Sequence, residues 1–411
     1  MEQRLLHTPE GVRDIYNGEC ARKQALQDKL HQVMKLYGYQ DMETPTFEYF
    51  DVFSREVGTI PSRDLYKFFD REGNTLVLRP DITPAIARAY AKYFSEEDMG
   101  VRISYMGNTF INNSSLQGRL KETTQLGAEL LGDDSVEADA EIAAMMIEVL
   151  LRAGLTEFQV SIGQVEFFKS LLKEAGVDEE TEQELKKLIT NKNNFGVETL
   201  LEEFQMEESL AGVFKSLPQM FGGVDILDKA QSMTKNPGAL AALERLRKLY
   251  EILKGYGYER YVSFDLGMIG NYMYYTGVIF RAYTFGTGDA VVKGGRYDHL
   301  LGHFGKPAPS IGFVVQIDAL LNALTRQKIA VETEEGPALF LYESGMHLQA
   351  VKEAVKMRSQ GKKAALMCRQ AEKTLDDYRA YAKRNHMPEI RYFGEDGSVS
   401  AICPENEEER A

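Results

Sequence analysis

Cysteine is scarce in this chain. Cys20, Cys368 and Cys403 are the three among 411 residues, and no short spacing joins any two of them. They build neither a disulfide framework nor a zinc cluster, and read as the reduced thiols of a cytoplasmic protein. Histidine is nearly as sparse, with six residues, of which His299 and His303 alone stand at a helical interval. Without a third ligand at motif spacing, that pair points to a surface or packing role and not to a metal. Apolar runs fall far short of the roughly 18 residues a membrane span needs. The opening Met1-Glu2-Gln3-Arg4-Leu5-Leu6-His7 lacks the basic-then-apolar order of a secretory signal. Positive charge is in deficit too: 48 Lys and Arg against 62 Asp and Glu give a net charge of −14. That balance disfavours a chain whose task is to hold a nucleic-acid backbone, although a local basic patch is compatible with it. What is present, 44% hydrophobic and 27% charged residues, fits a soluble protein of two or three domains. No cofactor is expected.

Periodicity predicts a helix from about Cys20 to Leu36, with Leu26, Leu30, Val33, Met34 and Tyr37 at helical spacing. Strand-like runs at 67–70 and 75–79 flank Arg71-Glu72-Gly73-Asn74, a hairpin turn signal. Thr83 to Tyr93 reads as a helix with Pro84 in its first turn. Strands follow near 101–106 and 124–131, then a helix that starts at Asp134 or Ser135. After Phe168 the pattern is helix upon helix to about Gly255. Strand character returns at 261–266, 277–283 and 290–292, and a last apolar helix covers about 315–324. The predicted plan is an α+β core over 1–325 with a helical insertion at about 169–255. A polar linker follows at 326–336, then a small α/β domain over 337–411.

Three segments can carry chemistry. The first is Leu78-Arg79-Pro80-Asp81-Ile82-Thr83-Pro84, with an acid and a hydroxyl at a strand-to-helix turn. The second is the loop Gly107-Asn108-Thr109-Phe110-Ile111-Asn112-Asn113 and the run Gly118 to Glu129. If that run ends as a strand, Gln125, Gly127 and Glu129 share one face, because side chains alternate. A Gln and a Glu buried there without partners would be costly, and a pocket for a cationic ligand resolves the cost; a solvated sheet face is the alternative. The third joins Tyr274-Tyr275-Thr276-Gly277 to Gly294-Gly295-Arg296-Tyr297-Asp298, where paired glycines allow either close approach to a ligand or a tight turn. Gly286-Thr287-Gly288 lacks the last glycine and the context of a dinucleotide loop.

Together and in this order, these segments resemble the class II catalytic core of histidyl-tRNA synthetase, over about 8–325. Pro9-Glu10-Gly11-Val12-Arg13-Asp14 is similar to the family's opening, and Glu43-Thr44-Pro45 to its dimer-forming first motif. Arg79-Pro80-Asp81-Ile82-Thr83 resembles Arg-Pro-Glu-Gly-Thr, and Gly118 to Glu129 the second motif after its loop. Tyr274 to Gly277 and Gly294 to Asp298 resemble the two histidine signatures, and Pro309-Ser310-Ile311-Gly312-Phe313 the third motif.

The departures carry as much meaning. The synthetase has Phe-Arg-x-Glu where this chain has Phe110-Ile111-Asn112-Asn113, a signature Arg where it has Gly270, and an ATP-binding Arg where it has Ala319. Adenylation rests on fixed cations around a phosphate, and losing one such donor typically costs ~10²–10³ in rate. By the resemblance, the histidine-binding positions are Asp81, Thr83, Gln125, Glu129, Tyr274 and Tyr275. Asp81 and Glu129 would pair with a cation, Gln125 would hydrogen-bond the ligand, and the tyrosines would wall a ring. Lost phosphate chemistry beside a kept amino-acid pocket resembles the regulatory paralogue of the synthetase. The resemblance implies a non-catalytic subunit that joins a short ATP phosphoribosyltransferase catalytic subunit in the first step of L-histidine biosynthesis and in feedback inhibition by histidine. It implies a homodimer within a hetero-octamer. The alternatives are a working histidyl-tRNA synthetase and a tRNA-sensing protein. For the latter, the basic run Lys352, Lys356, Arg358, Lys362, Lys363, Arg369, Lys373, Arg379, Lys383 and Arg384 in the last domain is the feature to weigh against a solvated helix face.

Overall fold

The structure is a computed structural model that describes residues 6–53, 60–113, 119–269 and 275–404. The chain divides into two units, Met1–Asp14 with Leu26–Val331, and Ile15–Ala25 with Glu332–Ala411. The grouping of Ile15–Ala25 with the C-terminal residues is not anticipated by the sequence boundaries.

The chain begins with α1 (Asn17–Leu36), β1 (Gln40–Asp41), β2 (Phe47–Tyr49), β3 (Lys67–Phe69) and β4 (Thr75–Leu78). Next come α2 (Thr83–Tyr93), β5 (Val101–Phe110), β6 (Glu122–Leu131), α3 (Val136–Ala153) and β7 (Phe158–Gln164). The helical insertion follows as α4 (Val165–Ala175), α5 (Glu179–Thr190), α6 (Asn194–Glu203), α7 (Glu208–Ser216), β8 (Phe221–Gly222), α8 (Asp225–Met233) and α9 (Pro237–Gly255). The first unit closes with β9 (Val262–Asp265), β10 (Val278–Thr284), β11 (Val292–Arg296), β12 (Ser310–Gln316) and α10 (Ile317–Arg326). The second unit holds β13 (Ala338–Tyr342), α11 (His347–Ser359), β14 (Ala364–Cys368), α12 (Leu375–Arg384), β15 (Ile390–Phe393) and β16 (Val399–Ile402).

Among the described residues, nine strands form the main sheet, in the order β1-β5-β6-β12-β11-β10-β7-β9-β8. Its centre is antiparallel, and the β1–β5 and β7–β9 pairs are parallel. The helix α3 lies across β6, β11 and β12. Ser135 fixes its start by accepting the Ala138 N–H at 3.1 Å, and Gly154 ends it in the left-handed conformation. Ile142, Met145, Met146, Val149 and Leu150 of α3 are all fully buried. Leu126, Ala128 and Leu130 of β6 join the same core, which turns Gln125, Gly127 and Glu129 to the opposite face of the sheet. The insertion extends this core, with Phe168 of α4 edge-on to Phe214 of α7 at 5.8 Å. Asp178, Asn193 and Asn236 cap α5, α6 and α9, each accepting a backbone N–H three residues on. In the second unit the strand order is β14-β13-β15-β16. Alanines of α11 pack with Phe340 on one side, and Tyr378 and Ala382 of α12 with Leu339 and Leu341 on the other.

Class II synthetase-like architecture is therefore present, with local differences from expectation. The strands β7, β12 and β16, and the two-residue β1 and β8, are not read from the sequence. In β7 the core residues Phe158, Val160 and Ile162 alternate with Gln159, Ser161 and Gly163, a strand period that the sequence does carry; β12 runs straight into α10, so its last apolar residues read as the start of that helix. The strand expected at 290–292 lies at Val292–Arg296, and the helix expected from 315 starts at Ile317 after β12. The cause in β11 is composition: Val-Lys-Gly-Gly-Arg has little strand preference, and pairing on both sides imposes the strand. Among the described residues, no helix is long and apolar enough to cross a membrane. Because Leu150 is wholly enclosed, Leu150→Ala is expected to lower the unfolding free energy by roughly 2–5 kcal/mol, read as a lower urea midpoint with unchanged far-UV dichroism.

Candidate functional site

A cavity of about 690 Å³ opens on the sheet face away from α3. That is within the range of small-molecule sites, roughly 300–1,000 Å³. Its walls come from the turn before α2, from β5 and β6, and from β11, β12 and α10.

Glu129 of β6 lies at its floor, 1% exposed. Its Oε1 accepts from Thr83 Oγ1 at 2.8 Å and Tyr105 OH at 3.1 Å, and its Oε2 accepts from Tyr297 OH at 2.5 Å. These hydroxyls arrive from three places: the first residue of α2, the strand β5, and the residue after β11. Two glycines make the convergence possible. A Cβ at Gly312 would overlap Glu129 Oε2, and one at Gly127 would overlap the Tyr105 ring, which crosses from β5 over its register partner Gly127. Burial pushes the Glu129 carboxyl up from 4.5 to about 7; the three hydroxyls pull it back, and the nearby Asp81 raises it further. Burial first, and the charge of Glu129 second, hold Tyr105 and Tyr297 well above ordinary tyrosine acidity, so both serve as donors.

Gln125, one pleat from Gly127, is buried in the same wall, and its Oε1 is a buried acceptor with no hydrogen-bond partner. A buried polar atom left this way costs about 1–3 kcal/mol, which a donor on a bound molecule would recover. Asp81 lines the cavity and accepts the Ile82 N–H at 2.8 Å, an arrangement that starts α2. Tyr275 is a buried wall residue, and Lys169 of α4 donates to its carbonyl oxygen at 3.4 Å.

Of the expected site residues, Asp81, Thr83, Gln125, Glu129 and Tyr275 all line this one cavity. Tyr274 lies outside the described residues, as does Gly270. Ile111, Asn113 and Ala319, which the resemblance aligns with charged positions, also line the cavity. Among the described residues, the cavity's cationic side chains are Arg119, Lys121 and Lys293, the last paired with Asp289 at 2.8 Å. Arg79 is buried and spends its guanidinium on the carbonyl oxygens of Thr44 and Asn108, both at 2.8 Å, which anchors the turn carrying Asp81. Arg296 turns away from the cavity while its neighbour Tyr297 enters it. The sequence reading does not single out Tyr105 or Tyr297 as site residues. Tyr297 does carry a signal, its two-residue alternation with Gly295; Tyr105 carries none, because the glycine it faces lies on another strand.

Comparison with known proteins is decisive about ancestry. Residues 11–320 match the family model of histidyl-tRNA synthetase. A curated ATP phosphoribosyltransferase regulatory subunit from Acetivibrio thermocellus is 41% identical over 88% of this chain and 86% of its own. The chain belongs to the ATP phosphoribosyltransferase regulatory subunit family. A second member of the family, from Ruminiclostridium cellulolyticum, is 37% identical over 99% of this chain and 96% of its own. Among solved structures, one described as an ATP phosphoribosyltransferase regulatory subunit/histidyl-tRNA synthetase from Bacillus halodurans C superposes with a TM-score of 0.85 at 32% identity. It covers 94% of this chain, and 98% of its own length is covered.

The Glu129 site has a signature in pH. Below the ordinary glutamate value of 4.5, folded and unfolded chains both hold the proton. As pH rises to about 7 the unfolded chain has released it and the folded chain has not, so stability falls through that window. The loss amounts to about 3 kcal/mol at most. Glu129→Gln is expected to remove this slope, measured by urea unfolding at a series of pH values against the parent.

Proposed function

We propose that this protein is the non-catalytic, histidine-sensing subunit that works with a short ATP phosphoribosyltransferase catalytic subunit. In this reading it supports the first step of L-histidine biosynthesis in the cytoplasm and carries feedback inhibition by histidine. The observation that supports it best is the pairing of a buried, near-neutral Glu129 with the unfilled acceptor of Gln125 in one cavity. An imidazole titrates near 6.5, close to the Glu129 value, so a proton can be shared between ring and carboxyl in a bound histidine. In this reading Asp81 and Gln125, both cavity residues, would meet the ammonium group, and Tyr275, with Tyr274 beside it in sequence, would wall the ring. Ile111, Asn113, Gly270 and Ala319 stand where adenylation needs charged groups, which supports a regulatory and not a catalytic task. The names of the relatives point the same way. A homodimer built through the segment around Glu43-Thr44-Pro45, inside a hetero-octamer, completes the proposal.

The test is phosphoribosyl-ATP formation by a short catalytic subunit, with and without this chain, across a histidine titration. Activity or histidine sensitivity that depends on the chain is the expected result, and no effect on either would sink the proposal. Within it, Glu129→Ala and Tyr275→Ala are each expected to raise the half-inhibitory histidine concentration by roughly 10-fold or more, a loss of about 1.4 kcal/mol or more. Unchanged inhibition in both variants would place the effector site elsewhere. A second reading, histidine activation as in a synthetase, is favoured by Arg119, Lys121 and Lys293 in the same cavity. Histidine-dependent ATP–pyrophosphate exchange by the chain alone would establish it.

A further inference from the structure

Behind the cavity, the chain carries a second polar cluster that the reading above leaves unused. Asp139, in the first turn of α3, is 0% exposed and takes a guanidinium on each carboxylate oxygen. Arg296 of β11 donates from Nε and Nη2 to Oδ1 at 2.9 and 2.7 Å. Arg245 of α9, in the helical insertion, donates from Nε to Oδ2 at 2.6 Å, and from Nη2 to the carbonyl oxygens of Asp134 and Ser135. Arg296 Nη1 reaches on to Asp298 Oδ1 at 3.3 Å, and Thr276 Oγ1 donates to Asp298 Oδ2 at 2.8 Å. The Thr276 N–H returns to the Arg296 carbonyl oxygen at 2.8 Å.

This frame closes around both described cavity tyrosines. Tyr275 precedes Thr276, and Tyr297 stands between Arg296 and Asp298. A buried carboxylate stripped of one of two partners leaves an oxygen bare in a dry interior, and the surrounding groups shift to cover it. Burial already pushes the Asp139 carboxyl up against the pull of both arginines, so neither arginine is redundant. The other cation on Asp139 is Arg296, the residue next to Tyr297; its guanidinium also holds the carbonyl oxygens of Asp133 at 2.9 Å and Ser135 at 3.4 Å, so a change at Asp139 bears on a group tied directly to the tyrosine's strand.

We propose that Arg245 is a positioning residue: through Asp139, the helical insertion sets where Tyr275 and Tyr297 stand, and so how tightly the cavity holds its ligand. The ligand part rests on the histidine reading; the tyrosine part does not. The test compares Arg245→Met and Arg245→Lys with Arg247→Met, a change at a neighbouring cation that pairs with Asp228 and Gln231 instead. Each full-length protein is labelled with 3-fluorotyrosine, and the Tyr275 and Tyr297 resonances are assigned from the corresponding Phe variants. Histidine affinity is read by calorimetry, per binding-competent site.

Arg245→Met is expected to move both tyrosine resonances without any ligand and to weaken histidine roughly ten-fold. Arg245→Lys should recover part of each effect, and Arg247→Met should give neither. A cycle with Tyr297→Phe should be non-additive, the second change costing less once Arg245 is gone. A variant with a lowered melting temperature but unmoved resonances and unchanged affinity would overturn the proposal and leave Arg245 a stabilising contact. If the parent protein binds no histidine, the functional reading fails, and the resonances still decide this one.

Discussion

Keeping one carboxylate away from water organises the functional half of this protein. Glu129 cannot be buried alone, since an isolated charge in an apolar interior costs far more than a fold can spare. Its acceptors are filled by hydroxyls from α2, β5 and the end of β11. Those three elements must therefore hold a fixed relation to β6. The register of β5 on β6 follows, because Tyr105 has to stand opposite Gly127. So does the placement of β12, whose Gly312 lies against the carboxylate. The cavity is the space left when these demands are met.

A few residues away the same problem receives a different answer. Asp139 is as deeply buried as Glu129, yet its partners are guanidinium groups and not hydroxyls. Cations compensate a carboxylate's charge, and neutral hydroxyls only solvate it. Asp139 is thereby suited to holding structure together. Glu129, poised near neutrality, is suited to exchanging a proton or a cation with whatever enters. Two buried acids on the two sides of one sheet thus divide structure from recognition.

The fold is legible in the sequence wherever a segment's own residues agree with its place. The α2 boundaries follow from Pro84 and the apolar spacing after it, and the α3 start from Ser135 ahead of an apolar run. The insertion declares itself as helix upon helix after Phe168, while its caps at Asp178 and Asn236 emerge in the structure. Legibility ends where tertiary pairing overrides local preference, as in β11, whose glycines lie between two strands that supply its hydrogen bonds. The site divides in the same way. Gln125 and Glu129 follow from the two-residue strand period, and Thr83 and Asp81 from their turn. Tyr105 belongs to the site through a neighbour on another strand, and the partnership of Arg245 with Asp139 spans 106 residues; one-dimensional spacing carries neither.

The glycines beneath the cavity also bear on the order of assembly. Gly127, Gly294, Gly295 and Gly312 sit in three neighbouring strands at the middle of the sheet. Glycine loses the most backbone freedom on becoming extended and contributes no side chain to hold its neighbours. This stretch of sheet thus gains little from local contacts, and pairing β6 with β12 joins distant parts of the chain, so closing it carries the entropy of a long loop. On these grounds the apolar layer of α3 and the insertion is expected to form first and to template the cavity floor. A partly folded chain would then own a core before it owns a binding site.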